Sequence, residues 1–160
     1  MIRVVEYKSK HCHSVRSLID LNFGDGYSKT KIIEDGYGWC ALNLQNEVVG
    51  FSFLKVEKKT GVLDLIVVEE SNRKNGIGKS LFDIRLNKAK RLGVSIVVIN
   101  HWVKKDSEKP YYALKHGFKF EKRNLNYWSK ESMNLGYKCA ECKTAPCECV
   151  SDTYILKLFT

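Results

Sequence analysis

Four groups of residues in this 160-residue chain have types and spacings that could do chemistry. The first is Arg73-Lys74-Asn75-Gly76-Ile77-Gly78-Lys79-Ser80. Its two glycines let the backbone come close to a ligand, and the N–H groups of a helix start favour an anion. Arg73, Lys74, Lys79 and Ser80 add charge or a hydroxyl to the same place, so the run suits a pyrophosphate. A Walker A loop would need glycine five residues before Gly78, where Arg73 stands, which excludes that motif. Taken alone, the same residues also read as a glycine turn with solvated lysines. The second group is a pair of carboxylates, Asp64 and Glu69, placed to accept a proton. The third is Tyr111-Tyr112, phenols shortly before Gly117-Phe118. The fourth is Cys139-x-x-Cys142-x-x-x-x-Cys147-x-Cys149, four of the six cysteines within eleven residues.

The elements that must position these groups can be read from periodicity. Residues 62–68 form an apolar run rich in β-branched side chains, as expected of a strand buried on both faces. From Gly78 an amphipathic helix follows, with Phe82, Leu86 and Ala89 at i, i+4 and i+7 and Leu81 and Leu92 beside them. Lys88, Lys90 and Arg91 suit its negative end, and Gly93 supplies a left-handed cap. The first group therefore lies between a strand and a helix, with Asp64 on that strand and Glu69 just after it. Before it come a strand over 2–7, a helix over 11–22, a glycine-rich break at 23–27 and a second short helix over 29–34. A hairpin of 39–44 and 47–56 turns around Gln45-Asn46. After it come a strand over 94–100, parallel to the central one through a right-handed crossover, then a short helix over 111–115. Gly117-Phe118 leads into another strand, and the last strand spans 153–159.

The length suits one domain over 1–160, with a four-cysteine loop at 137–150 before the last strand. With 44% apolar and 28% charged residues and no run of eighteen apolar residues, a membrane span is excluded. The first ten residues lack the apolar core of a secretory signal, which makes the cytoplasm the expected location. Lys and Arg outnumber Asp and Glu 27 to 18, a net charge of +9. That charge fits a polyanionic ligand, an acidic substrate or nucleic acid, and equally a solvated basic surface.

In a reducing compartment the cysteine cluster favours metal over disulfides. A CxxC and a CxC pair suit tetrahedral zinc, and four thiolates leave no position for water, so the ion would be structural. Lys143 stands where such a motif usually has glycine, and disulfides or simply reduced thiols remain alternatives. Cys12 and Cys40 are isolated and read as buried thiols. His11 and His13 read as ordinary residues near a helix start.

Arg-x-x-Gly-x-Gly between such a strand and such a helix resembles the acetyl-CoA pyrophosphate loop of the GNAT superfamily, the acyl-CoA-dependent N-acyltransferases. The short helix ending in Gly117-Phe118 agrees, and the resemblance covers residues 1–128 and the last strand. It implies an α/β fold with a mixed, mostly antiparallel sheet, a central parallel pair that splays apart, and flanking helices. It implies acetyl-CoA as donor: residues 73–80 on its pyrophosphate, and the backbone of Ile66, Val67 and Val68 along its pantetheine arm. It makes Phe23 and Tyr27 candidate acceptor contacts, although aromatics pinning a loop onto the sheet explain them as well.

Amide formation from a thioester needs a neutral amine, a stabilised oxyanion and a proton for the leaving thiolate. The resemblance makes Asp64 the candidate base, with Glu69 the runner-up; some relatives carry glutamate at the position of Val62. As plain structure, Asp64 is a strand-edge charge. Relatives place the leaving-group acid, a tyrosine, four residues before the glycine, where this chain has Ala113; Tyr112, five before, is the nearest phenol. Its structural reading is ring packing. A frequent asparagine is replaced by Asp106. No cysteine near the loop suggests a covalent intermediate, so the expectation is direct transfer to a primary amine in a ternary complex. The competing expectation is a catalytically weak acyl-CoA-binding module, or a zinc-bearing one that binds nucleic acid or protein. Nucleic acid is not the expected partner. The acceptor is unassigned, and a homodimer is left open.

Overall fold

The computed structural model describes residues 1–31, 33–104, 112–143 and 146–158. Seven strands form one sheet: β1 (Arg3–Glu6), β2 (Tyr37–Leu42), β3 (Val48–Glu57), β4 (Thr60–Val68), β5 (Ile96–Val103), β6 (Lys119–Asn124) and β7 (Val150–Lys157). The helices are α1 (Cys12–Phe23), α2 (Ile77–Arg91) and α3 (Tyr127–Leu135). The spatial order is β1-β2-β3-β4-β5-β7-β6, antiparallel except for the central β4–β5 pair. This is the mixed sheet expected from the sequence.

Alternation decides which side chains meet which helix. In β2, Trp39 and Ala41 face the core under α2, whereas Cys40 and Leu42 face the core under α1. Phe82, Leu86 and Ala89 of α2 and Val15, Leu18 and Ile19 of α1 fill the two layers. The β2–β3 hairpin is tied by the Asn43 side chain, which accepts from the amides of Gln45 (3.0 Å) and Glu47 (2.9 Å). The exposed edge strand β6 carries Lys119, Glu121, Lys122 and Arg123, charges that discourage pairing with another chain.

Three local expectations change. The second short helix over 29–34 is instead two single 3-10 turns, Tyr27–Thr30 and Ile33–Asp35. The helix over 111–115 is a 3-10 segment, Tyr112–His116. α3 has no counterpart in the sequence reading, because its buried face is only Trp128 and Ser132; its stop signal, Gly136 at φ +73°, is visible in hindsight.

Candidate active site and cysteine centre

β4 and β5 pair only from Thr60–Ile96 to Val62–Val98. Beyond that point they part, and a cavity of about 230 Å³ opens between them. Its walls include Phe23, Tyr27, Asp64, Arg85, His101, Trp102 and Trp128. The parting coincides with a β-bulge. Phe53 of β3 pairs with Leu65 and Leu54 pairs with Leu63, which leaves Asp64 without a partner across the ladder. Leu63 therefore packs under α2 while Leu65, two residues on, packs under α1. A bulge re-aims side chains in this way, and here the re-aimed one is a carboxylate lining the cavity.

Arg85 completes the floor. It is 1% exposed, and its Nη1 donates to the carbonyls of Leu65 (2.9 Å) and Phe53 (3.3 Å), the residues paired at the bulge. Sequence reading passed over it. The available signal was a charge at i+3 from Phe82 and i+4 from Leu81, inside the apolar stripe of α2.

Asp64 Oδ1 accepts from Lys31 Nζ at 3.0 Å, with the two side chains 26% and 10% exposed. The same ammonium lies 5.1 Å from the centroid of the Tyr27 ring. A carboxylate and an aromatic face thus hold a primary ammonium at the edge of the cavity. Tyr27 itself is buried, and burial raises its phenol pKa far above the usual range. Phe23, Tyr27 and Trp102 form a three-ring cluster, with centroids 5.2 Å apart for Phe23–Tyr27 and Phe23–Trp102 and 5.8 Å for Tyr27–Trp102. These aromatics pin the loop and line the cavity together. A second cavity of about 320 Å³ lies on the other side of Phe23 and Trp102, with Asn22, His101 and Glu141 on its wall.

The glycine loop follows the far end of β4. Lys74 at φ +64° and Gly76 at φ +76° turn the chain, and Gly76 caps α2. The first helical bond runs from Ser80 N–H to Gly76 O (3.0 Å), so the amides of Ile77, Gly78 and Lys79 have no acceptor in their own helix. A Cβ built on Gly76 would meet nothing within 4 Å, and one on Gly78 only Val68 Cγ2 at 4.0 Å. Backbone here is open to an approaching pyrophosphate, and Ile66, Val67 and Val68 lead from the bulge toward it. Arg73 braces the loop: Nε donates to Val68 O (3.0 Å) and Nη2 to Asn22 Oδ1 (2.6 Å) on α1. Lys79 pairs with Asp83 at 2.7 Å; Asn75 and Ser80 are exposed.

Glu69 stands apart from Asp64. Its Oε2 accepts from Asn72 (2.6 Å) and Ser71 (3.1 Å), closing the turn after β4, five residues and roughly 16 Å along the strand from the bulge. Tyr112 packs edge-on against Phe82 (5.3 Å) and beside His116 (4.7 Å). The Lys79 pKa is raised chiefly by the Asp83 hydrogen bond and charge, with a smaller contribution from Tyr112. Tyr111 and Asp106 lie outside the described residues.

The four clustered cysteines converge. Sγ separations are 3.8 Å for Cys139–Cys149, 3.9 Å for Cys142–Cys147 and 3.6 Å for Cys142–Cys149, and all four sulfurs lie within 4.8 Å of one another. Burial pushes the Cys149 thiol up to about 12 and raises that of Cys147 further still. Lys143 adopts φ +58°, the left-handed turn for which a glycine would ordinarily be chosen. α3 forms the platform: Trp128 packs on the cysteines and Ser132 Oγ accepts from Cys147 N–H at 3.1 Å.

The family model described as "Acetyltransferase (GNAT) family" matches residues 9–118. Among solved structures, the chain is similar to an IAA acetyltransferase from Bacillus cereus, with TM-score 0.73 and 20% identity over 99% of this chain and 100% of that one. The ribosomal-protein-S18-alanine N-acetyltransferase from Escherichia coli gives TM-score 0.73 and 14% identity over 100% and 96% of the two chains. A Bacillus subtilis acetyltransferase in complex with CoA gives 0.69 and 21% over 99% and 98%. At these identities the likeness is one of fold. No curated protein sequence matches the chain.

Proposed function

The chain belongs to the acetyltransferase (GNAT) family, and from that premise we propose that it transfers the acetyl group of acetyl-CoA to a primary amine, with donor and acceptor bound together. The observation that carries this reading is the bulge at Asp64, which turns a carboxylate into the gap between the splayed strands. The amides of Ile77, Gly78 and Lys79, with the loop of Arg73, Lys74 and Asn75, would hold the pyrophosphate. The edge of β4 over Ile66, Val67 and Val68 would guide the pantetheine arm to the bulge. Asp64 then takes the proton that the attacking amine must lose, the carbon–sulfur bond breaks, and the Tyr112 phenol supplies the proton to the departing thiolate. Holding both reactants in line supplies much of the rate, because the encounter becomes effectively unimolecular. The Lys31 ammonium on Asp64 supports an amine as acceptor, since the carboxylate and the Tyr27 ring already hold one. We assign these roles to one catalytic unit over residues 1–160.

The test is incubation with acetyl-CoA and a panel of amines, reading free thiol. Amine-dependent thiol release is expected. Tight CoA binding with no release across the panel would select the second reading, a CoA-binding protein without turnover, which Ala113 at the place of the expected tyrosine favours.

A further inference from the structure

We propose that Cys139, Cys142, Cys147 and Cys149 bind one structural zinc ion, and that this centre holds the aromatic wall of the acceptor cavity in place. The metal assignment stands on the cysteines alone; the second half rests on reading the cavity between β4 and β5 as the acceptor site.

The geometry fits a tetrahedral ion, and four thiolates suit zinc. Zinc–thiolate bonds of about 2.3 Å in a tetrahedron require sulfurs about 3.8 Å apart. Three of the pairs here are 3.6, 3.8 and 3.9 Å apart, far from the ~2.05 Å of a disulfide. Two backbone amides point at the sulfurs: Cys142 N–H at Cys139 Sγ and Glu148 N–H at Cys142 Sγ, each at 3.4 Å. Such bonds favour thiolate over thiol. Three of the four side chains are buried, as befits a structural centre closed to solvent. Binding zinc releases the thiol protons to solvent and leaves four sulfur–metal bonds in their place. A closed tetrathiolate keeps no position for water or substrate, so its role is mechanical.

What it braces is written in the contacts. Ala140 N–H, inside the CxxC turn, donates to Phe23 O at 3.0 Å. Gly24 lies so close to residue 138 that a Cβ on it would sit 1.6 Å from the Lys138 carbonyl oxygen. Trp102 packs against the cysteine cluster on one side and stacks on Phe23 on the other. Tyr137, at the foot of the loop, meets the Tyr27 ring edge-on at 4.9 Å. Each aromatic of the wall is therefore one contact away from the cysteine loop. The glycine loop reaches the same segment through Arg73, whose Nη2 donates to Asn22 Oδ1 at 2.6 Å.

The experiment uses the full chain purified without chelator. Elemental analysis should give one zinc per chain, and Cys142→Ser should lose it while Cys12→Ser keeps it. Iron in its place, or no metal with four freely titrating thiols, overturns the assignment. Hydrogen–deuterium exchange is then compared before and after zinc is stripped. Residues 138–149 and 22–28 should both exchange at least tenfold faster, tryptophan emission should shift through Trp102 and Trp128, and residues 81–89 in the middle of α2 should keep their protection. Faster exchange confined to 138–149 overturns the coupling to the cavity wall, as does an equal acceleration over 81–89, which would mean general unfolding. Stripped wild-type protein answers the question even if Cys142→Ser fails to fold. A protein with this behaviour but no acetyl transfer would sink the proposed function and leave the zinc centre standing.

Discussion

Asp64 shares its carboxylate with the Lys31 ammonium, so an incoming amine competes with one the chain already carries. Lys31→Met should therefore lower the acceptor KM severalfold with small amines; a raised KM would make Lys31 part of the acceptor site instead. If Asp64 and Tyr112 move the protons, Asp64→Asn and Tyr112→Phe should each lower turnover about 10²-fold or more, with the acetyl-CoA KM little changed. Equal activity in Tyr112→Phe would hand that role to water or Tyr111. Gly78→Val tests the loop. Only Val68 Cγ2 comes within 4.0 Å of the position its Cβ would take, so the fold should persist while CoA binding is lost to a side chain blocking backbone approach. Unchanged CoA affinity by calorimetry would remove the pyrophosphate assignment. His101 sets a pH dependence. Burial lowers its pKa below 6.5 in the folded protein, against a small opposing pull from Asp152. The unfolded chain then binds the proton first, so stability is full above about pH 6.5 and falls as the pH drops toward the folded value. His11 is shifted the same way, first by burial and then by Lys10 and Lys8, so His101→Phe should flatten the acid limb only partly. An unaltered limb would show that His101 contributes nothing.

At the scale of elements, the bulge and the splay are one device held by Arg85. A buried guanidinium is costly unless it is hydrogen-bonded, and here two strand carbonyls at the bulge accept from its Nη1. Each such bond to a charged group is worth about 1.5–3 kcal/mol, so Arg85→Met should cost about 3 kcal/mol once its own apolar packing offsets part of the loss. That is a melting temperature lower by several degrees and a change in the Asp64 position seen crystallographically. A variant as stable as the parent with Asp64 unmoved would mean the bulge is held by β3 alone. α2 plays two parts through its two ends. Its first turn offers unpaired amides beside the glycines, and its middle reaches the cavity floor through Arg85. One helix therefore connects the two halves of the proposed site, one for each substrate.

Across the whole molecule, the order of strands explains why the C-terminal third matters. β7 lies between β5 and β6, so the chain crosses the cysteine loop before it can close the sheet. That loop is thereby placed behind the aromatic wall of the cavity, against the carboxyl end of α1. The net charge of +9 also acts at this scale. Exposed lysines and arginines attract a polyanion through water, and the attraction is screened within about 10 Å at 0.1 M salt. CoA affinity should fall severalfold as salt is raised about tenfold, with most of the loss in the association rate. A salt-independent affinity would place the binding energy in the backbone amides and the pantetheine groove alone.

Local chemistry made some features legible before any fold was known. The strand, glycine loop and helix over 62–92 are punctuated by β-branched runs, a 3.6-residue apolar repeat and two glycines, all of which act between near neighbours. The four cysteines were legible because their spacing is short enough for one turn to gather them. Other features depend on contacts between distant residues. The Asp64 bulge arises from a register slip between two strands, and no residue type announces it. Lys31 reaches Asp64 from thirty-three positions away, and Arg85 reads as an error in an amphipathic stripe until the carbonyls it serves are seen. α3 is nearly invisible because its buried face is built from one tryptophan and one serine whose long-range partners, Trp102, Val150 and the cysteine loop, come from other parts of the chain. Sequence determined which groups could bind an anion or a metal; tertiary structure decided which of them share a cavity, because that depends on register and on packing across the sheet.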